Sequence, residues 1–246
     1  MELVSLLGVS KSYNGKYVLR NVNLKIARGD FITVFGPNGS GKSTLLNVIG
    51  GVIKPDNGNV LIEGKHVEKQ IIGYVFQNYR DSLLPWRTNL KNIEFPLELR
   101  RITKPERRIR IKKLLNRLDV RIPLNKYPYQ SSGGEQQLVA ILREVISCPK
   151  IILMDEPFSA IDMESKAYLK VKIQEIWHEL GIAIILVTHD ISEAIQLGSK
   201  LLIIDRKRLG IKKTLNIKFK RPRTEDIVFS PSFVKFREKL VRITKN

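Results

Sequence analysis

The sequence is poor in cysteine and has no long apolar run. Cys148 is the single cysteine among 246 residues, so an internal disulfide cannot form and we expect a reducing compartment. No run of about eighteen apolar residues occurs, and the N-terminus lacks the basic and apolar pattern of a secretion signal. We therefore expect no membrane span, and any connection to a membrane would go through a partner.

Acidic residues are scarce relative to basic ones. The chain has 43 Lys and Arg against 24 Asp and Glu, which gives a net charge of +19. The basic residues concentrate between residues 100 and 126 and again beyond residue 200. Such charge is typical of proteins that meet nucleic acid or an anionic membrane, and also of a solvated surface. Because aromatic side chains are not interleaved with these charges, a solvated face or a membrane surface is favoured over nucleic acid.

The spacing of apolar residues predicts strands that alternate with helices. The predicted strands lie at residues 3–9, 18–26, 31–35, 59–63, 71–76, 150–154 and 182–187, with two more between 200 and 219. The predicted helices lie at residues 42–49, 87–100, 105–118, 134–147, 163–180 and 232–243. This alternation indicates a parallel sheet covered by helices on both faces. The helices between residues 87 and 118 then form an insertion in an α/β core.

A glycine-rich segment joins a predicted buried strand to a predicted helix. It fits the pattern Gly-x-x-x-x-Gly-Lys-Ser/Thr and consists of Gly36, Pro37, Asn38, Gly39, Ser40, Gly41, Lys42, Ser43 and Thr44. The glycines allow backbone N–H groups to wrap around phosphates, Lys42 can reach the terminal phosphates, and the Ser43 hydroxyl can bind Mg²⁺. The segment predicts a nucleoside triphosphate site, with a glycine-rich surface turn as the alternative.

Two adjacent carboxylates end the apolar strand at residues 150–154. Asp155 can hold Mg²⁺ through water, and Glu156 can orient or deprotonate the attacking water. An ordinary acidic turn after a strand would have the same residues. Beside a phosphate loop, however, the second carboxylate favours a hydrolase, because a protein that only binds nucleotide does not need it.

At this point the order of motifs resembles the ATP-binding subunits of ABC transporters over nearly all of residues 1 to about 205. In that family the phosphate loop is Walker A and the carboxylate pair is Walker B. Further matching segments are Tyr13, Gln77 in Val-Phe-Gln, Ser132-Gly133-Gly134, Ser159 to Asp162, and His189 in Val-Thr-His-Asp. They resemble, in that order, the adenine-stacking aromatic, the Q-loop glutamine, the signature motif, the D-loop and the switch histidine.

The resemblance implies roles for these residues. It assigns catalysis to Glu156, His189 and Gln77, and the metal site to Ser43, Gln77 and Asp155. It implies that ATP and Mg²⁺ are bound, and that two copies face each other head to tail. ATP then lies between Walker A of one copy and the signature of the other. Ser132-Gly133-Gly134 suits this, because glycine permits close approach of the backbone and a helix N-terminus attracts phosphate.

The resemblance also implies membrane partners. The helical insertion that begins near Gln77 would form a groove for a short helix of a membrane-spanning permease subunit. The stretch Asp81 to Thr88 resembles the Leu-Leu-Pro-Trp run of importers for nitrate, alkanesulfonate, taurine and related small anions. A different small polar solute is the alternative. Leu83, Leu84 and Trp86 could instead be loop residues that are anchored in the core.

The signature segment departs from the family pattern Leu-Ser-Gly-Gly-Gln. Ser131 replaces the Leu, Glu135 replaces the Gln, and Leu138 stands where Arg is common, although Arg143 keeps a later one. Ser131 loses an apolar anchor. Glu135 is favourable at a helix N-terminus but unfavourable beside a triphosphate, so the sequence leaves the sign of its effect open. We expect reduced but real ATPase activity.

The predicted fold class is α/β, with a P-loop NTPase (RecA-like) core, an N-terminal antiparallel β subdomain and a helical ABC-specific subdomain. The expected ATP-binding domain covers residues 1–220, with the helical subdomain at about 78–148, and a basic extension covers residues 221–246. No internal repeat is present, so we expect one nucleotide-binding unit per chain.

The expected function is ATP hydrolysis by a peripheral subunit on the cytoplasmic face of a membrane, coupled to uptake of a small solute. The partners would be permease subunits, a second copy of the chain and, indirectly, a substrate-binding protein, with no nucleic acid. A DNA-associated ABC-type ATPase is one alternative, although no heptad run suggests its coiled coil. A P-loop phosphotransferase is another, although it would need neither a signature motif nor a switch histidine.

Overall fold

Residues 2–67 and 70–245 are described by a computed structural model and form both strands and helices. In chain order the strands are β1 (Glu2–Tyr13), β2 (Lys16–Ala27), β3 (Phe31–Phe35), β4 (Asn57–Ile62), β5 (Lys65–His66), β6 (Gly73–Val75), β7 (Ile151–Asp155), β8 (Ala183–Thr188), β9 (Lys200–Asp205) and β10 (Gly210–Asn216). The helices are α1 (Lys42–Ile49), α2 (Tyr79–Ser82), α3 (Asn89–Leu99), α4 (Lys104–Arg117), α5 (Gly133–Val145), α6 (Met163–Leu180), α7 (Ile191–Leu197) and α8 (Pro231–Lys245).

Residues 1–70 and 183–246 form the first of two units. Its N-terminal sheet is antiparallel, with strand order β2-β1-β4-β5, and Val4 lies between Ile26 and Ile62 of the neighbouring strands. A second group of strands has β3 parallel to both β8 and β9, while β10 pairs antiparallel with β9. Residues 31–34 of β3 and all of β8 are buried, because helices cover parallel strands.

The C-terminal helix α8 belongs to the core of the first unit. Phe233 and Leu240 on one face of α8 are buried in a cluster that includes Ile195 of α7 and Leu201 and Ile203 of β9. The apolar residues of α8 recur at helical spacing, which explains why a segment rich in Lys and Arg still packs along one side. The basic segment after residue 220 is therefore part of a packed structure.

A buried arginine fastens this C-terminal segment to α7. Arg223 donates hydrogen bonds to the carbonyl oxygens of Ile195 (2.8 Å) and Gly198 (2.6 Å) at the end of α7, and to those of Ile217 (3.2 Å) and Phe219 (3.0 Å). The last carbonyls of a helix have no partner within the helix. The Arg223 guanidinium supplies that partner and closes the C-terminal end of α7.

Residues 71–182 form the second unit. Strands β6 and β7 are parallel, with Val75 opposite Met154. Helix α4 is amphipathic: Ile111 and Leu115 are buried, whereas basic side chains such as Arg108 and Lys112 are exposed. Among the described residues, no helix is both long and apolar enough to span a membrane.

The helices and strands follow the predicted pattern with local differences. The predicted bounds of the helices at 42–49 and 163–180 are confirmed. Helices α2 and α7 and the two-residue strand β5 were not predicted, because all three are too short for a periodic pattern.

Candidate nucleotide site

The phosphate loop lies between β3 and α1 and requires glycine where its backbone turns. Gly41, at the start of α1, has φ of 94°, and a Cβ there would lie 3.0 Å from Val18 Cγ1. A Cβ at Gly36 would come within 2.6 Å of the Ile204 carbonyl oxygen. The first helical bond runs from Leu45 N–H to Gly41 C=O, so the earlier N–H groups of the turn are outside the helical pattern. Such N–H groups suit an anionic ligand.

The Lys42 side chain folds back over the loop. Its ammonium donates to the carbonyl oxygens of Gly36 at 3.0 Å and Pro37 at 3.1 Å, and the residue is only 5% exposed. The cation is therefore held at the same loop whose backbone N–H groups suit a phosphate. Electrostatics and geometry favour an anion at this place.

Tyr13 lies on the rim of the cleft beside the loop. The cleft has a volume of about 280 Å³ and is lined by Tyr13, Val18 and residues of the loop from Gly39 to Thr44. The Lys11 ammonium lies 5.6 Å from the centre of the Tyr13 ring and also pairs with Asp56 at 2.6 Å. Hydrogen bonds from Lys11 and Ser12 lower the pKa of Asp56 to about 2. The exposed ring and the neighbouring cation suit an aromatic base.

His189 also belongs to the first unit. It directly follows Thr188 of β8, which lies opposite Phe35, the last residue of β3 before the phosphate loop. The next residue, Asp190, caps α7 by accepting the N–H groups of Ser192 (2.7 Å) and Glu193 (3.2 Å). The backbone around the exposed His189 side chain is thus fixed by a strand on one side and a capped helix on the other.

The second unit brings Gln77 and the two carboxylates to one edge. Strands β6 and β7 are parallel, and Val75 lies opposite Met154. Gln77 and Glu156 each lie two residues beyond this pair, and therefore both follow the same end of the two strands. Asp155 is nearly buried and Glu156 is half-buried. Glu156 has a left-handed backbone with φ of 44°, which is uncommon for a residue with a side chain. Such backbone strain is often found at functional sites.

Tyr74 lies near Asp155, one of the two carboxylates. Tyr74 of β6 is largely buried and stacks on Phe76 with ring centres 4.2 Å apart. Burial, and then the negative charge of Asp155, raise the pKa of Tyr74 above its usual range. Its phenol therefore stays neutral near Asp155.

The Ser132-Gly133-Gly134 segment begins α5. The Ser132 hydroxyl accepts the Glu135 N–H at 3.2 Å, and the Glu135 carboxylate accepts the Ser132 N–H at 2.9 Å, which is a capping box. A Cβ at Gly134 would lie 2.6 Å from Ser165 Cβ, so only glycine allows α5 to approach the first turn of α6 this closely. Glu135 therefore caps the start of α5 through a hydrogen bond, in addition to the favourable charge that the sequence indicated.

Ser131 is held by a polar anchor in place of the expected apolar one. Its hydroxyl accepts a hydrogen bond from the side-chain amide of the fully buried Asn89 at 2.9 Å, and its carbonyl accepts one from Gln136 at 2.9 Å. Asn89 also donates to the Pro123 carbonyl at 2.9 Å. Asn89 was missed in the sequence because it lies far from Ser131 along the chain.

The segment Ser159 to Asp162 leads into α6. The Asp162 carboxylate accepts the Ser165 N–H at 2.9 Å, and hydrogen bonds from Ser165 lower the pKa of Asp162. Ser165 is the residue that packs against Gly134. The starts of α5 and α6 are thus adjacent within the second unit.

Arg206 is a second residue that no motif marked. It lies in the turn between β9 and β10, and its guanidinium donates to the Asn38 carbonyl oxygen of the phosphate loop. It fills the space beside Gly39, where a Cβ would lie 2.9 Å from the guanidinium nitrogen. The site of the first unit therefore has a cation on the outside of the loop as well as Lys42.

The donors expected for Mg²⁺ are of the right chemical type. Ser43 offers an exposed hydroxyl, Asp155 a carboxylate and Gln77 an exposed amide oxygen. Mg²⁺ prefers such oxygen ligands and is usually held by one or two carboxylates together with substrate phosphates. Within the described residues there is no cluster of three or more His, Cys, Asp or Glu that would form a metal cage by itself. These donors fit a metal that arrives with a nucleotide.

Comparison with known proteins identifies the family. The sequence profile of the ABC transporter family matches residues 19–159. The chain is 39% identical over 238 residues to an uncharacterised ABC transporter ATP-binding protein of Methanocaldococcus jannaschii, covering 95% of this chain and 87% of that one. It belongs to the ABC transporter ATP-binding family. It is also 36% identical to the taurine import ATP-binding protein of Yersinia pestis, covering 96% of this chain and 94% of that one.

Solved structures agree with this assignment. A dimeric ATP-binding cassette in a post-hydrolysis state with ADP and Pi has a TM-score of 0.75 and 33% identity, covering 89% of this chain and all of that one. A component of the cbiONQ ABC transporter complex of Clostridium perfringens has a TM-score of 0.81 and 26% identity, covering 99% of this chain and 98% of that one. The predicted α/β P-loop fold and the prediction of an ATPase are confirmed.

Proposed function

We propose that this ABC ATPase is the ATP-hydrolysing subunit of an importer and that two copies work as a head-to-tail dimer. One observation carries the proposal: each chain has two separate segments that suit a phosphate, one in each unit. The phosphate loop with Lys42 lies in the first unit, and the capped helix start at Ser132 lies in the second. In a head-to-tail pair, each loop would face the Ser132 helix start of the other copy. The similar cassette that was solved as a dimer with ADP and Pi supports this arrangement.

Nucleotide binding falls to the cleft in the first unit and to the partner's signature. Tyr13 would stack on the adenine, the backbone of residues 36–41 would wrap the phosphates, and Lys42 would neutralise them. Ser132, Gly133 and Gly134 would reach the terminal phosphate from the other copy. The exposed position of Ser132 leaves its segment accessible for this contact.

Hydrolysis falls to the carboxylate edge. Glu156 would orient the water or take its proton, while Gln77 and His189 would position the water and the terminal phosphate. Ser43, Asp155 and Gln77 would hold Mg²⁺, which, when bound, neutralises charge on the phosphates. The fixed backbone on both sides of His189 supports a positioning role for that residue.

The membrane partner would bind the second unit next to the Leu-Leu-Pro-Trp run, at the cytoplasmic face of the membrane. Leu83 is buried and anchors the run, whereas Trp86 is 72% exposed. Exposed aromatic side chains are enriched at protein interfaces. The sequence interpretation of this run as plain core anchors thus fits Leu83 but not Trp86.

A small anion of the nitrate, sulfonate or taurine type is the proposed solute. The similarity to a taurine import ATP-binding protein supports this. A relative from Chlorella vulgaris with the name 'probable sulfate/thiosulfate import ATP-binding protein' shows 36% identity over 206 residues. The solute itself would be bound by the permease and a substrate-binding protein.

We keep residues 1–220 as the proposed ATP-binding domain, with its helical part at about 78–148, and residues 221–246 as a proposed extension.

A mixing experiment tests the head-to-tail dimer. Lys42→Ala disables the phosphate loop and Ser132→Arg blocks the signature, so each variant alone should have little ATPase activity. In a head-to-tail mixed dimer one site carries both defects and the other carries none, and ATPase activity should return on mixing. If each site were built from one chain alone, both sites would stay defective and mixing would restore nothing.

The role of Glu156 is tested separately. Glu156→Gln should bind ATP and accumulate as a dimer with little hydrolysis, as measured by light scattering and phosphate release. Combining it with Lys42→Ala should abolish the dimer. Normal turnover by Glu156→Gln would remove this residue from the mechanism.

The permease surface is tested with Trp86→Ala. This variant should lose co-purification with its membrane subunits while its ATP affinity stays unchanged. Phe229→Ala is the matched control, since Phe229 is 81% exposed but lies in the first unit. Equal loss of co-purification in both variants, or in neither, would contradict the proposed surface.

A further inference from the structure

A groove in the second unit lies away from every residue assigned to ATP. Its volume is about 400 Å³, and it is formed by α4 together with the C-terminal ends of α5 and α6 and the segments that follow them. Its lining is mainly apolar and includes Leu114, Val145, Ile146, Leu180 and Ile182. We call it the basic groove, because Arg110, Lys113 and Arg117 of α4 also line it.

The groove is separated from the ATP-site residues by the length of β7. Pro149, two residues before β7, lines the groove, whereas Asp155 is the last residue of that strand. A strand of this length spans roughly 17 Å. The Ser132 end of α5 and the Asp162 end of α6 are likewise the opposite ends from those that line the groove. A ligand in the groove would therefore not compete with ATP.

The size of the groove favours a small molecule. Small-molecule sites commonly measure about 300 to 1,000 Å³, are mostly apolar and contain a few polar groups that orient the ligand. The groove has both features, since its lining is mainly apolar and includes cationic side chains. It suits an alkyl chain that lies on Leu114 and Val145 and bears a polar group near α4.

The charge of the polar group follows from the ion pairs of α4. Arg110 pairs with Glu106 at 2.9 Å, and Arg117 pairs with Glu179 at 3.7 Å. Within the described residues Lys113 has no ion pair, so its ammonium is the uncompensated charge of the groove. A ligand with one anionic group would neutralise Lys113, whereas a cationic ligand would be repelled.

We propose that the basic groove binds a small amphiphile with one alkyl chain and one anionic group, of the type of a medium-chain carboxylate. The alkyl chain lies on the apolar floor and the carboxylate pairs with Lys113. Nothing in this proposal depends on the solute or on the dimer proposed above.

Cys148 gives a direct test, because the only cysteine of the chain is exposed and lines the groove. The measurement is the rate at which a maleimide labels Cys148 in the intact protein, with decanoate, decanol or decyltrimethylammonium below their micelle-forming concentrations. Decanoate should slow labelling severalfold, while the cationic amphiphile should have little effect. ATP should not slow labelling. Equal protection by the cationic amphiphile, or none by decanoate, would overturn the proposal.

A pair of variants on α4 supplies the matched control. Lys113→Glu should raise the dissociation constant of decanoate about tenfold, because attraction becomes repulsion at the groove. Lys112→Glu makes the same charge change on the next residue, which is exposed outside the groove, and should leave the affinity within about twofold. Calorimetric titration with decanoate gives both values without using the thiol. An equal effect of the two variants would show that only the net charge matters and would overturn the specific site.

Discussion

At the residue scale, the backbone of Glu156 is strained at the position that we propose to be catalytic. Its φ of 44° places a residue with a Cβ in the left-handed region. That region costs such a residue about 1 to 2 kcal/mol relative to the right-handed one. The turn that follows is closed by a hydrogen bond from Ser159 N–H to the Glu156 carbonyl at 3.2 Å. The strain is thus part of the geometry that presents the carboxylate.

Two substitutions at Glu156 separate the side chain from the backbone. Glu156→Ala and Glu156→Gly both remove the carboxylate, so both should lose ATPase activity. Glycine has no Cβ to strain, and we expect Glu156→Gly to be more stable than Glu156→Ala by about 1 kcal/mol, as measured by urea unfolding. If the Glu156→Ala variant is as stable as the Glu156→Gly variant, the left-handed backbone at this position is not strained.

Glu135 replaces the family's glutamine and also completes the capping box with Ser132. Glutamine can accept the same N–H through its side-chain oxygen, so Glu135→Gln should keep the free energy of unfolding within about 0.5 kcal/mol. It removes a negative charge near the expected terminal phosphate. We therefore expect ATP turnover and nucleotide-driven dimerisation to increase.

The matched variant Glu135→Ala removes the charge and the cap together. It should gain the same electrostatic benefit but lose about 1 kcal/mol of stability. If ATP turnover and dimerisation are unchanged in Glu135→Gln, the carboxylate does not act on the nucleotide.

Glu144 of α5 predicts a pH dependence of stability. Burial raises its pKa above the ordinary 4.5, although Arg143 and the Tyr74 N–H partly offset this. A carboxyl whose folded pKa is raised binds protons more tightly in the folded state. Its contribution to stability is complete below the unfolded pKa and is lost as the pH rises through the folded pKa.

Glu144→Gln should therefore be more stable than the parent protein at neutral pH, and the difference should shrink as the pH falls toward 4.5. Glutamine keeps an oxygen that can accept the Tyr74 N–H. Chemical unfolding at several pH values measures the difference, with the exposed Glu106→Gln as a surface control. A difference that does not change with pH would contradict the burial effect.

At the scale of elements, α7 connects the His189 segment to the C-terminal segment. Asp190 caps the N-terminal end of this seven-residue helix, and Arg223 binds the carbonyls at its C-terminal end. So short a helix has little stability of its own, because helix nucleation is unfavourable. Its geometry therefore depends on these two polar contacts and on its buried apolar residues.

Arg223→Ala should destabilise the protein by about 3 kcal/mol or more, because it leaves several buried carbonyls without a partner. Arg223→Lys restores the charge but not the planar fork and should recover only part of the loss. Thermal unfolding measures both, with the exposed Lys220→Ala as the neighbouring control. A loss of less than about 1 kcal/mol in Arg223→Ala would mean that water replaces the guanidinium.

The same elements show what could be predicted from the sequence. The bounds of α6 follow from Asp162 at its N-cap and Gly181, with φ of 62°, at its C-cap, which are local signals. The phosphate loop could be predicted for the same reason, because its glycines are required by the local backbone conformation. For helix α7 the sequence offers only the cap residue Asp190 and Glu193 in the first turn as local signals.

Contacts between distant segments could not be predicted. Asn89 reaches Ser131 across 42 positions, and Arg206 reaches Asn38 across 168 positions. No local spacing encodes these pairs, since they depend on how the elements pack. The left-handed backbone of Glu156 is hidden for a different reason, because only glycine commonly signals that conformation in a sequence.

At the scale of the whole molecule, the charge of +19 opposes association of two copies. A dimer brings two equally charged chains together, and these chains repel each other. Salt screens the repulsion, because the Debye length falls from about 14 Å near 50 mM salt to about 6 Å near 300 mM. The ATP-dependent dimer of Glu156→Gln should therefore become tighter as the salt concentration rises over this range. This prediction rests on the proposed dimer.

Sedimentation equilibrium at saturating ATP measures that dissociation constant. A control with Arg108→Glu and Lys112→Glu, both on the exposed face of α4, lowers the charge of each chain by four and should respond less to salt. Saturating ATP is essential, because salt also weakens the binding of phosphate to the loop. A dimer that weakens as salt is added would show that attraction between Lys42 and the bound phosphates, and other opposite charges brought together on closure, outweighs the repulsion of the net charges.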